Sequence, residues 1–232
     1  MNITFLQKLI KKRGGKILFF AKKVQYKSFF SISSKRIRGK GNRILFNNKS
    51  MLFNVSIRII GNNNVIQVEE GCILERVSIF IKGSNNKIII SKNVQAHHFA
   101  SWWIEDDGNA IYVGENSCIG DAHLAVTEDG HLVQIGSNCI FAKGIEIRTG
   151  DSHSIIDALT ERRINYAKSV IIGNHVWIGS SVSILKGAIV PHNSIVATRS
   201  VVTKVFCEEN TLIAGIPAKV VKQNIGWIGD RI

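Results

Sequence analysis

The order of apolar and polar positions along this chain carries two repeats. The sharper has a period of six: Ile172, Ile178, Ile184, Val190, Val196 and Val202 are spaced six apart, and Val176, Val182, Ala188, Ser194 and Ser200 fill a second position four residues after each of the first five. A branched aliphatic followed by glycine or another residue and then by a small one suits a triangular β-helix, in which each short strand turns one side chain into a stacked core. Fragments of the same pattern precede it at Val113-Gly114, Ile119-Gly120 and Ile135-Gly136, and Phe141 and Ile147 keep the spacing. The second repeat has a period of 22 and opens at Gly39, Gly61 and Gly83, each followed by a polar turn and then by alternating aliphatics. Each such unit reads as one rung of a solenoid.

The register breaks between Ile147 and Ile172, across a polar stretch from Thr149 to Ser169. Regular rungs on both sides argue against a domain boundary, so the stretch is expected to loop out of the solenoid. Loops held by a rigid scaffold are where chemistry is usually placed, and this one contains Asp151, His153, Asp157, Arg162 and Arg163.

Composition agrees with strands and turns. Two prolines stand against 20 glycines, and Ile, Val and Asn are abundant, which disfavours helix-rich classes. At 232 residues one main domain is expected. The four cysteines, Cys72, Cys118, Cys139 and Cys207, show no CxxC spacing and follow nothing like a signal peptide, so they read as reduced core residues of a cytoplasmic protein. The longest apolar run near the N-terminus, Ile17 to Ala21, is far short of the roughly 20 residues that cross a bilayer.

The net charge of +13 is placed unevenly, because residues 1–68 hold 15 Lys and Arg and no Asp or Glu. Within residues 1–34, Phe5, Leu6, Leu9 and Ile10 recur at helical spacing beside Lys8, Lys11, Lys12 and Arg13, before a Gly14-Gly15 break. Two readings stay open: a helical cap over the open end of the sheet, and an amphipathic segment lying on anionic membrane, peripheral at the inner membrane. Nucleic acid is not expected, since no aromatic-basic platform or helix-turn-helix pattern accompanies the charge. The chain thus divides into a basic segment at 1–34, a β-helix domain at 35–222 and a tail at 223–232.

The segment 172–180, the hexads through Val202, Thr203-Lys204 and the tail 213–220 resemble the hexapeptide-repeat acyltransferases, with the strong match covering about residues 111–222. Residues 148–157 look most like capsule and lipopolysaccharide sugar O-acetyltransferases, including those acting on polysialic acid. The resemblance implies a left-handed parallel β-helix, a handedness against the general rule for parallel crossovers and not readable from periodicity. It also implies a homotrimer, acetyl-CoA as co-substrate, a carbohydrate acceptor and no metal.

Carried onto this sequence, the resemblance makes His153 the general base and puts Trp177 beside the acceptor or acetyl channel. Ser180 and Thr198 fall where backbone groups hold the pantetheine arm, Thr203 and Lys204 where CoA passes, and Lys219 and Lys222 where basic side chains meet its phosphates. His123 sits about where some members place an asparagine near the acetyl group.

The residues support this chemistry on their own terms. An imidazole titrates near neutral pH and can take the hydroxyl proton during attack on a thioester, and a backbone N–H on a neighbouring rung can receive the oxyanion. Asp151 and Asp157 read equally as orienters of His153 and as turn residues, and are left outside the catalytic set. Trp177 and His175 occupy outward positions of the hexad, which in a trimer face the groove between chains. Arg148 is a candidate for the carboxylate of an acidic sugar, as are Arg162 and Arg163.

Three alternatives remain at this point. An amino-sugar nucleotide N-acetyltransferase would use the same base, but usually carries a nucleotide-binding βαβ domain that is not seen here. A metal-dependent enzyme of the γ-carbonic-anhydrase type would need histidines on neighbouring rungs, whereas His97 and His98 are expected to point apart on a strand. A non-catalytic polysaccharide-binding solenoid would lack CoA binding.

Overall fold

A computed structural model describes residues 30–229, and every regular element in this part is a β-strand. The expected N-terminal helix falls on residues 1–29, outside the described part. Residues 30–34 belong to a strand, Phe30–Arg38, which pairs in parallel with Met51–Ile60. The first rung therefore runs across the boundary drawn at 34/35.

As a rule each strand pairs with the third strand along the chain, which winds the chain into a three-faced solenoid. The first face stacks the start of Met51–Ile60, Ile73–Glu75, Gln95–Ala96, Cys118–Ile119, Ile140–Phe141, Trp177–Ile178, Ile195–Val196 and Leu212–Gly215. The second stacks the rest of Met51–Ile60, Ser78–Lys82, Ser101–Glu105, His123–Val126, Glu146–Arg148, Ser183–Ile184 and Val201–Val202. The third is a seven-stranded sheet from Arg43–Phe46 to Ile189–Val190. One antiparallel strand, Ala218–Lys222, closes the C-terminal end against Leu212–Gly215.

Side chains alternate along a strand, so parallel in-register pairing converts each repeat into a column. On the second face the inward column runs Ile57, Ile79, Trp102, Leu124, Ile147, Ile184, Val202, all of them buried. The expected hexad aliphatics are all fully buried, and the small positions pack beside them. The polar turns are satisfied by an asparagine ladder. Buried Asn64, Asn86 and Asn109 each offer Oδ1 to the backbone N–H one rung on, from Asn86 at 3.0 Å, Asn109 at 2.8 Å and His131 at 2.7 Å. Gly61 (φ 136) and Gly83 (φ 143) start these turns, and a Cβ on either would strike the carbonyl oxygen of the next rung.

Two expectations are corrected. Only Cys72 and Cys139 are core residues, where burial pushes each thiol up to about 11. Cys118 is half-buried, and Cys207 is exposed on the irregular segment between the strands Val201–Val202 and Leu212–Gly215. His97 and His98 do not point apart on a strand. They lie past the end of Gln95–Ala96, where His98 takes φ 62 and the two rings meet edge-on at 5.6 Å.

Candidate active site

The polar stretch 149–169 leaves the second face after Glu146–Arg148 and returns at Val170–Ile172 on the third, as the broken register requires. Buried Thr149 closes its neck: its N–H donates to the Ala125 carbonyl at 3.0 Å, and its carbonyl accepts from the Lys168 N–H at 2.8 Å. Inside the loop, Ile156 and Arg163 form an antiparallel bridge. Asp157 works as a turn residue, with Oδ1 accepting from the Thr160 N–H at 2.7 Å and the Leu159 N–H at 3.0 Å. Those donors hold its carboxyl below the usual range.

Asn165, only 6% exposed, organises the half of the loop that carries His153. Its Nδ2 donates to the His153 carbonyl at 2.8 Å and to Asp151 Oδ2 at 2.8 Å, while its Oδ1 accepts from the Ile155 N–H at 2.7 Å and from Arg163 Nε at 3.1 Å. Asp151 is also paired with Lys186, whose hydrogen bond is the main reason its carboxyl sits below the ordinary value. Arg163 pairs with Glu128 and lies over the Tyr166 ring. Burial is the largest single influence on the Glu128 carboxyl and works against its ionisation, but the hydrogen bond and charge of Arg163, with the Ala167 N–H and His131, together hold it below the ordinary value. Both loop aspartates and Arg163 are thus engaged in holding the loop.

Between loop and second face lies a groove of about 520 Å³, lined by Trp103, His123 and Arg148 from the face and by exposed His153 from the loop. Three predicted site residues therefore meet in one place. Half-buried His123 is pushed below the ordinary histidine value, first by burial and then by Arg148, against the opposing pull of Glu146. Arg148 Nε lies 3.0 Å from Glu146 Oε1. The arrangement combines a solvent-facing imidazole, a second imidazole biased toward its neutral form, a guanidinium and an aromatic wall. Such a set can accept a proton and bind a sugar with an anionic substituent.

Trp177 does not line this groove. It stands 43% exposed on the first face, where Trp227 from the C-terminal tail comes within 6.3 Å of it, stacks on His175 at 4.3 Å and donates from Nε1 to the His175 carbonyl at 3.0 Å. The residues expected along CoA lie toward the C-terminal end. Ser180 and Thr198 sit on consecutive turns, Gly179 packing against Thr198 and the Ser180 carbonyl accepting from the Arg199 N–H at 2.8 Å. Lys204 and Lys222 line a cleft of about 540 Å³, while exposed Thr203 and Lys219 lie on the adjoining segments.

The residue-level reading missed Trp103, Asn165 and Trp227. A signal existed for Trp103, since in the Trp102-Trp103 pair strand alternation turns one ring in and the other out. Among the described residues no group of three His, Cys, Asp or Glu is placed to hold a metal ion, and no helix is long and apolar enough to cross a membrane.

Comparison with known proteins adds three findings. The chain is 37% identical over 120 residues to a polysialic acid O-acetyltransferase of Escherichia coli O1:K1, and 36% identical over 118 residues to one of Neisseria meningitidis. These matches take in 52% and 51% of this chain but 38% and 54% of those proteins, so the chain spans about half or less of the curated relatives it matches. The crystal structure of the polysialic acid O-acetyltransferase OatWY superposes with a TM-score of 0.78 at 33% identity, covering 86% of this chain and 92% of that one. The scan against family models gives no match.

Proposed function

Because the chain belongs to the hexapeptide-repeat acyltransferases, left-handed β-helix proteins that include the polysialic acid O-acetyltransferases, we propose that it moves an acetyl group from acetyl-CoA to a sugar hydroxyl of a bacterial surface polysaccharide, with His153 as general base. The placement of His153 across an open groove from His123, Arg148 and Trp103 is the observation that carries this reading. The hydroxyl oxygen attacks the thioester carbonyl while His153 takes its proton. Collapse of the tetrahedral intermediate breaks the C–S bond, and the imidazolium returns the proton to the departing CoA thiolate. No covalent acyl-enzyme is required.

The remaining residues take supporting roles in this reading. Arg148 binds a carboxylate on the acceptor. The backbone at Ser180 and Thr198 holds the pantetheine arm, and Thr203, Lys204, Lys219 and Lys222 line the path of CoA toward its phosphates. A homotrimer sets the first face of one protomer, with its Trp177, beside the second-face groove of the next, which reunites the two halves of the site. Basic residues 1–34 keep the enzyme near the membrane where the glycan is made. The test is CoA release by the full chain with acetyl-CoA and either polysialic acid or a neutral glycan. Acetyl esters on the acidic polymer support the reading, and CoA release with no acceptor dependence, or none at all, defeats it.

A further inference from the structure

The outward side of the second face does not end at the groove. Register carries it back along the N-terminal rungs as two neighbouring columns. One runs Arg36, Arg58, Phe80, Trp103, and the other Ser34, Ser56, Ser78, Ser101. Ile57 and Ile79 point into the core between them, so by alternation both columns face outward. A trough of about 310 Å³ has the serines as its floor and Arg36, Arg58, Phe80 and Trp103 as one wall. A smaller hollow beside it, of about 180 Å³, shares Ser56 and Ser78 and adds Arg76 and Phe99 as the opposite wall.

The chemistry of both walls is the same. Arg58 lies over the Phe80 ring at 5.5 Å, Phe80 and Trp103 rings are 4.1 Å apart, and Arg76 lies over the Phe99 ring at 5.4 Å. Phe99 is 71% exposed. Arg36 and Arg58 sit on paired positions of adjacent strands, where like charges repel. Residues 1–68 and the strand Ser78–Lys82 contain no carboxylate that could relieve them. Glu105, on the next strand of this face, is paired with Lys82. Trp103 lines both this trough and the His153 groove, so the two adjoin at its ring.

We propose that this trough is a binding track for successive residues of a carboxylate-bearing polysaccharide, separate from the acetyl-transfer groove and feeding it. Guanidinium pairs receive the carboxylates, the aromatic rings pack on sugar faces, and the serine hydroxyls bond to sugar hydroxyls. The track rests on the proposed acetyl transfer only for its direction. Its occupancy is a separate matter.

Two measurements on the full chain separate these points. Binding of polysialic acid in the absence of acetyl-CoA, followed by calorimetry, should weaken about tenfold or more in Arg36→Gln/Arg58→Gln. It should change less than threefold in Arg43→Gln/Lys87→Gln, which removes the same charge from the third face. Acetyl transfer should show KM raised in Arg36→Gln/Arg58→Gln for long chains but unchanged for two- or three-unit acceptors, with kcat unaltered. Equal weakening in both double variants, or none in either, overturns the track even if transfer is robust. Wild-type protein that binds polysialic acid through Arg36 and Arg58 but transfers no acetyl group overturns the proposed activity and leaves the track standing. Wild-type protein that does not bind polysialic acid overturns the track.

Discussion

The side-chain amide of Asn165 donates to the backbone carbonyl of His153 at 2.8 Å. Through this bond a buried residue near the return of the loop holds the main chain of His153, twelve residues earlier, from which the exposed imidazole projects. Asn165→Ala leaves the Ile155 N–H and the His153 carbonyl without their partner, a loss of roughly 1–3 kcal/mol of local order. We expect kcat to fall about tenfold or more, the affinity for CoA to hold, and protease to cut within 150–164 sooner. Unchanged kcat with unchanged cleavage would show that the loop is held by other contacts.

Gly61→Ala tests the stacked turns. The residue keeps φ 136 and its Cβ would meet the Gly83 carbonyl oxygen, so the substitution combines backbone strain with a clash between two main chains. A loss of about 2 kcal/mol or more is expected from such a conformation. Urea unfolding within about 0.5 kcal/mol of wild type would mean that the rungs can slide apart.

Much of this architecture is legible in the chain, because a solenoid repeats one decision: every sixth residue points inward, and the strands at Trp177–Ile178 through Val201–Val202 need only two residues each to say so. The loop is legible as the place where that rhythm fails. What it does inside is not, since Asn165 matters through the path the backbone takes around it, and Asp157 is told from Asp151 only by what each bonds. Trp177 shows the same limit from another side: its outward position is readable, but which face it shares, and hence its separation from His153, depends on counting every turn of the chain between them.

The depressed value of His123 predicts a pH dependence of stability. Its proton is held less well in the fold than in the unfolded chain, so the unfolded state binds more protons and stability rises with pH in that range. The contribution is complete above the ordinary histidine value of 6.5 and is lost as pH falls through the lower folded value. Between about pH 6.5 and 5, before the paired carboxylates of Asp151 and Glu128 titrate, His123→Gln should flatten the stability profile. Parallel profiles for wild type and variant would contradict the burial argument.

Thiol reactivity should follow burial. Cys207 is exposed, whereas Cys72 and Cys139 are buried with thiols pushed to about 11, so a thiolate-directed reagent at pH 8 should label Cys207 first and Cys72 and Cys139 only on unfolding. Cys207→Ser should remove the fast phase. Rapid labelling of Cys72 or Cys139 in the native protein would mean that the rungs open.

The most direct test of the account is steady-state acetyl transfer from acetyl-CoA to polysialic acid by wild type and His153→Ala, with CoA affinity measured in parallel. Loss of a general base predicts a fall in kcat of roughly 100-fold or more with CoA affinity nearly unchanged. A variant that turns over like wild type would remove His153 from the mechanism.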